Sequence, residues 1–164
     1  MTVQVCRPST DPELLENPDP LDPSGCPFGV AYMVGRLNRA VRQRFRKVLE
    51  PMGLTVGQYT ALSVFCSNGK LSNAKLAERI MVSPQAANEL IKGMEKNGWI
   101  VRKPDPNHGR IIQVSLTKEG QKLLMQCNKQ IAGIEVKILQ GLSEKEVKTL
   151  HGQLRNAVSL LKEL

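Results

Sequence analysis

The stretch SPQAANELIKGMEKNGWIVRKPDPNHGRIIQVSLT, residues 83–117, changes from a helical pattern to a strand pattern. Ser83 and Pro84 favour a helix start, because serine caps free amides and proline suits the first helical position. Asn97-Gly98 favours a helix end. The apolar residues between recur at helical spacing, and we expect these side chains to be buried: Ala87, Leu90, Ile91 and Met94.

The second half of this stretch predicts a β-hairpin, with one strand from Trp99 to Lys103 and another from Ile111 to Leu116. Turn-forming residues, including Pro104, Asp105 and Pro106, separate the strands. In the second strand an apolar set alternates with Gln113 and Ser115, and we expect the apolar set to anchor the hairpin: Ile112, Val114 and Leu116. Arg110 lies where the turn meets this strand.

Two further helices precede this stretch. Thr55 is the expected cap of a helix that ends at Asn68-Gly69, and its inward side chains are Tyr59, Leu62 and either Phe65 or Cys66. Ser72 is the expected cap of a shorter helix with Leu76, Ala77 and Ile80 inward. The break Ile80-Met81-Val82 separates it from the helix that starts at Ser83. Two short helices and a hairpin are typical of a winged helix-turn-helix, whose second helix enters the DNA major groove.

The charge of the chain favours a polyanionic partner. The formal net charge is +8 over 164 residues, and the pI is about 9.5. A proline-rich arm, residues 1–27, has five acids against one base, so residues 28–164 carry +12. Nucleic acid and an anionic membrane surface both suit such a balance. The heptad spacing of the apolar stripes favours protein packing, so we expect no membrane partner. We predict that the arm is largely irregular, because prolines at this density interrupt helices and strands.

Several classes of protein are disfavoured. No run of 18 apolar residues and no signal-peptide pattern is present, so we expect a cytoplasmic protein. The cysteines form no C-x-x-C pair, so we expect free thiols and no metal site: Cys6, Cys26, Cys66 and Cys127. No G-x-S-x-G, P-loop, G-x-G-x-x-G or H-E-x-x-H motif occurs. We therefore expect neither an enzyme nor a bound cofactor.

Long amphipathic helices flank the central region. Residues 28–50 predict a helix with an apolar stripe and a basic remainder, broken by Pro51 and Gly53. Residues 118–164 predict two more, the second starting with a capping box of Ser143 and Glu146. The apolar stripes exceed the needs of one core, so we infer packing against a second copy.

The central residues resemble the MarR family of transcriptional regulators. The matching residues are Leu54, Thr55, Gln58 and Leu62, then LAERIMVS (76–83), GMEKNGWIVRKPDP (93–106), Arg110 and VSLTKEG (114–120). The resemblance implies a mainly α-helical homodimer with a small β-hairpin that binds a pseudo-palindromic operator. It predicts a ligand- or signal-responsive regulator, expected to be a repressor. The predicted divisions are the arm at 1–27, a dimerisation helix at 28–53, the winged helix-turn-helix at 54–117 and dimerisation helices at 118–164.

The candidate DNA contacts are Ser72, Asn73, Lys75, Ser83, Pro84, Gln85, Asn88, Lys92, Arg102, Lys103, His108 and Arg110. Gln85 and Asn88 can pair with adenine in the major groove, and Ser83 lies where a helix N-terminus suits a phosphate. Arg110 is expected in a narrow minor groove. Two positions depart from the family: His108 replaces the usual acid before Arg110, and Glu89 stands where a base is common. An acid that faces DNA costs affinity, although it can read cytosine.

The resemblance also implies a pocket for a small aromatic or anionic effector, and its candidate residues are Tyr32, Arg36, Arg39 and Tyr59. The basic face of the first helix is either solvated, pocket-lining, or an auxiliary phosphate or partner surface. Cys26 lies just before this helix, where some relatives carry a redox-sensing thiol, and a helix N-terminus can lower a thiol pKa. Two alternatives stay open: a helical protein-interaction or anti-repressor module without DNA binding, and a redox-sensing regulator that uses Cys26.

Overall fold

The computed structural model describes residues 30–104 and 112–162. These residues form six α-helices, one 3₁₀ turn and three strands, in the order α1 Val30–Leu49, a 3₁₀ turn Glu50–Met52, α2 Val56–Asn68, β1 Leu71–Ser72, α3 Asn73–Ile80, α4 Pro84–Lys96, β2 Ile100–Pro104, β3 Ile112–Leu116, α5 Lys118–Ile138 and α6 Glu144–Lys162.

 The mainly helical architecture with a small β-hairpin is therefore confirmed.

Two compact units share these residues, with the boundary between Gln43 and Arg44. The described part of the N-terminal unit is the first part of α1, and its apolar side chains face solvent. Val30 is 81% exposed, Val34 46% and Leu37 49%. The apolar stripe that the sequence predicts on this segment is thus present and uncovered within one chain.

The C-terminal unit has an aliphatic core with a single buried phenylalanine. Helices α2, α3 and α4 pack together, and the sheet and the first part of α5 complete the core. Its fully buried large side chains are Leu49, Leu62, Phe65, Leu76, Ile91, Met94, Val114 and Cys127. Phe65, and not the exposed Cys66, is therefore the inward residue near the end of α2.

The predicted helix starts are confirmed by hydrogen bonds at the caps. The Thr55 hydroxyl accepts from the Gln58 amide at 3.2 Å, and the Gln58 side chain accepts from the Thr55 amide at 2.9 Å. Ser72 and Ser83 cap α3 and α4 in the same way. Before α6, Glu146 accepts from the Ser143 amide at 2.8 Å. These side chains satisfy amides that have no partner within the helix.

The sheet has three antiparallel strands in the order β1-β3-β2, and its first strand is one that the sequence did not predict. Leu71 in β1 pairs with Val114 in β3, while Arg102 in β2 pairs with Val114 from the other side. The base of the hairpin is therefore held by the residues just before α3. This pairing ties the wing to the helix-turn-helix.

The predicted anchoring of β3 needs one correction. Val114 is 2% exposed and Leu116 packs against the core, whereas Ile112 is 45% exposed. Ile112 points to the expected side by alternation but lies beyond the edge of the core. Only Val114 and Leu116 therefore anchor this strand.

The connection between α3 and α4 turns at Met81, whose φ of 52° is the one left-handed value among described residues other than glycine. The Met81 amide donates to the Ala77 and Glu78 carbonyls and closes the end of α3. Met81 is 67% exposed. The backbone, and not the burial of this side chain, therefore makes the turn.

The last helix, α6, has no buried residue. Its apolar stripe includes Leu150, Leu154 and Leu161, which are 37%, 45% and 71% exposed. In the described ranges, no helix is both long and apolar enough to cross a membrane.

Candidate nucleic-acid interface

The polar face of α4 lies opposite its buried face. Ala87, Ile91 and Met94 point into the core, so the helical period turns another set of side chains outward. That outward set is Gln85, Glu89, Lys92 and Lys96. Gln85 and Lys92, two of the predicted DNA contacts, therefore face solvent.

The position of the buried face makes Glu89 a stronger candidate for a DNA contact than Asn88. Asn88 is half-buried at the flank of the outward face, and Glu89 lies near its centre. The Glu89 carboxylate forms an ion pair with Lys92, with Oε1 3.1 Å from Nζ. Glu89 is thus a candidate site residue, although the sequence placed it only among the departures from the family and not among the candidate DNA contacts. A helical projection centred on the core residues would have found it.

The start of α4 can receive a phosphate. Pro84 is its first residue, and the Ser83 hydroxyl accepts from the Ala86 amide at 3.1 Å. This bond uses a lone pair of the hydroxyl and leaves its hydrogen as a donor. The helix dipole also favours an anion at this end.

The start of α3 presents a smaller set of groups. Ser72 accepts from the Lys75 amide at 3.3 Å, and the Lys75 side chain is exposed. Asn73 is half-buried, and its Oδ1 has no hydrogen-bond partner. Lys75 is the one charged residue of the three, and its exposed side chain is available to a phosphate.

Arg102 joins the wing to α4. Its Nε lies 2.9 Å from Glu95 Oε2, close enough for an ion pair but not aligned as an N–H···O hydrogen bond. The side chain is 31% exposed, whereas the neighbouring Lys103 is exposed. This geometry favours a positioning role for Arg102 and a phosphate-contacting role for Lys103.

Three candidates lie outside the described residues. Arg110 and His108 belong to residues 105–111, and Cys26 belongs to residues 1–29. Their proposed roles at the wing tip and in redox sensing remain predictions.

Three of the four effector candidates line one surface concavity. Tyr32, Arg36 and Arg39 border a volume of about 490 Å³ on α1 in the N-terminal unit. The Arg36 guanidinium carbon lies 6.0 Å from the centre of the Tyr32 ring, at the outer limit of a cation–π contact. An aromatic ring beside two guanidinium groups suits a small aromatic anion.

Tyr59 belongs to the C-terminal unit, where protein groups already engage it. Its ring meets Phe45 edge to face, with centroids 5.8 Å apart, and its hydroxyl donates to Asn128 Oδ1 at 3.0 Å. Burial is the main cause that raises the pKa of Tyr59 above its ordinary value. The phenol is therefore a neutral donor near neutral pH.

Comparison with known proteins agrees with this geometry. A sequence model described as MarR family matches residues 52–111. HTH-type transcriptional repressor Rv2887 of Mycobacterium tuberculosis is 26% identical over 114 residues, which cover 70% of this chain and 82% of the repressor.

Solved structures share the fold. The transcriptional regulator SlyA has a TM-score of 0.75 and 27% identity, and the match covers 82% of this chain and 95% of SlyA. A mutant of MarR from E. coli complexed with operator DNA has a TM-score of 0.69 and 22% identity, and the match covers 77% of this chain and 91% of that MarR chain.

Two short helices followed by a β-hairpin, with a polar face on the second helix, define a winged helix-turn-helix protein. Over residues 52–111 the chain is similar to the MarR family.

Proposed function

We propose that this protein is a homodimeric repressor that binds a pseudo-palindromic operator and responds to a small effector or another signal. The observation that carries the proposal is the outward face of α4. It presents Gln85, Glu89, Lys92 and Lys96 to solvent beside a hairpin whose base is fixed to the helix-turn-helix. Polar and charged groups on such a helix suit base edges and phosphates in a major groove.

Two copies are needed for a two-fold operator, and the chain has the surface for a partner. The exposed apolar stripe of α6 supports association, because contiguous uncovered apolar area usually marks an interaction site. A dimer places one recognition helix in each of two successive major grooves.

Effector response follows from the spacing of the two recognition helices. A ligand that binds one spacing more tightly shifts the population toward it and changes the affinity for DNA. The concavity at Tyr32, Arg36 and Arg39 supports a small aromatic or anionic effector, because it combines a ring with cations. We also infer that the protein acts by binding and not by catalysis, and that it works in the cytoplasm.

Fluorescence anisotropy tests the proposal, using duplexes from the promoter region of the gene itself and random duplexes at several salt concentrations. We expect a steep negative dependence of affinity on salt, because bound phosphates release counterions. We also expect the promoter duplex to bind at least about 10³-fold more tightly than random DNA. Weak binding without sequence preference would instead support a protein-interaction module.

A further inference from the structure

We propose that Glu89 selects a C·G base pair in the operator, with the neighbouring Lys92 ammonium facing the guanine of that pair. The inference rests on the proposed function, since it names what the outward face of α4 reads. Glu89 has a central place on that face, between Gln85 and Lys92 along the helix.

The ion pair of Glu89 and Lys92 lies at the protein surface and takes no part in the core. The side chain of Glu89 is 64% exposed and that of Lys92 is 58% exposed. Exposed pairs three residues apart on a helix contribute little to stability. Both charged groups therefore remain accessible to a ligand that approaches this face.

The charge pattern of the pair matches one base pair. In the major groove, cytosine offers the N4 amino group as a donor, and its partner guanine offers O6 and N7 as acceptors. A carboxylate accepts from N4, and an ammonium group donates to O6 or N7. Glu89 Oε1 and Lys92 Nζ lie 3.1 Å apart. The two charged groups are therefore close enough to face N4 of cytosine and O6 of guanine, which are hydrogen-bonded neighbours in one base pair.

Other bases fit the carboxylate less well. Guanine and thymine present only acceptors or a methyl group, which leave a carboxylate without a donor. Adenine has a donor at N6, but its N7 acceptor lies beside it. A carboxylate that finds no donor is repelled by the nearby phosphates, and this repulsion weakens DNA binding. Glu89 therefore favours operators with cytosine at this position and selects against those without it.

Selection from a library of random duplexes tests the assignment with the full chain. We expect the parent to enrich a two-fold sequence with cytosine at one position of each half-site. Glu89→Ala should lose the cytosine preference, and Glu89→Gln should shift it toward adenine, since glutamine pairs with N6 and N7. Glu78→Gln removes an exposed acid from α3 in the same lobe and should keep the parental sequence.

A modified base then probes the proposed hydrogen bond directly. N4-methylcytosine at the selected position replaces the hydrogen that faces the major groove, whereas 5-methylcytosine keeps it. We expect the former to weaken parental binding roughly tenfold more than the latter. With Glu89→Ala the two modified duplexes should bind alike.

The outcomes separate this inference from the proposed function. An enriched sequence that is the same for the parent and Glu89→Ala would overturn the role of Glu89 and leave the regulator intact. No enriched sequence for the parent would overturn the regulator and, with it, the reading of cytosine.

Discussion

Thr117 connects three parts of the DNA-binding lobe through one side chain and one amide. Its Oγ1 donates to the Gly98 carbonyl at 2.7 Å and accepts from the Gly120 amide at 3.0 Å. Its amide donates to the Trp99 carbonyl at 3.0 Å. The end of α4, the start of β2 and the start of α5 therefore meet at this residue.

Thr117→Val should lower the free energy of unfolding by about 2 kcal/mol, because it removes a helix cap and leaves the Gly98 carbonyl without this donor. Thr117→Ser keeps both bonds and should lose much less. Urea unfolding at one protein concentration measures both. A valine variant as stable as the serine variant would mean that the hydroxyl contributes nothing.

Arg110 and Lys103 differ in what they are expected to read. Arg110→Ala should weaken specific binding by about 1–3 kcal/mol and leave random DNA less affected. Lys103→Ala should weaken both classes of duplex and reduce the salt slope by about 1, as loss of one phosphate contact does. Anisotropy titrations compare them, and equal losses on both duplexes for Arg110→Ala would argue against a role in recognition.

The sequence identified which residues belong to the candidate site better than it identified the directions of their side chains. It placed Gln85 and Lys92 on the outward face of α4, but it did not rank Glu89 above Asn88. The ranking requires the direction of the core, which depends on contacts with other helices. Ile112 shows the same limit, since alternation predicts a side of the strand but not where the core ends.

Helix α5 begins against the backbone of Trp99, and this contact requires a glycine. A β-carbon added at Gly120 would overlap the Trp99 carbonyl group. Gly120 is buried, and its amide is held by the Thr117 cap. The close approach sets the distance between α5 and the first strand of the hairpin.

Gly120→Ala should therefore destabilise the protein by about 1–3 kcal/mol, despite the better helix propensity of alanine. Gly133→Ala in the same helix is the matched control, since an added β-carbon there meets no atom within 4 Å. The control should be neutral or more stable by up to about 1 kcal/mol. Equal effects in thermal or urea unfolding would contradict the role of the Trp99 contact.

At the element scale, the helices were predictable because each carries its own start and stop signals. Thr55, Ser72 and Ser83 cap as expected, and Gly98 follows α4 with a φ of 72°. The strand Leu71–Ser72 was not predictable, because two residues have no period. Its pairing with β3 depends on residues some forty positions away.

Among the described residues, exposed large apolar side chains are most numerous on α1 and α6. Val30, Val34 and Leu37 lie on one, and Leu150 and Leu154 lie on the other. We expect dimerisation to cover the α6 stripe, because the apolar stripes exceed what one core needs.

Leu154→Arg should weaken the dimer by about 3 kcal/mol or more, which is typical for an uncompensated buried charge. Asn156→Arg adds the same charge to α6 outside the stripe and should leave the dimer intact. Size-exclusion chromatography with light scattering, over a range of concentrations, distinguishes them. Identical masses for both variants would place the interface elsewhere.

A helix with no buried residue also makes the protein sensitive to its own abundance. In the proposed dimer α6 gains its hydrophobic partner through association, so mass action links the order of this helix to the amount of protein present. The temperature of unfolding should rise with concentration in the parent and much less in Leu154→Arg. Below the dimer dissociation constant, the cell would lose cooperative occupancy of the operator, so synthesis and dilution would themselves set a threshold for repression.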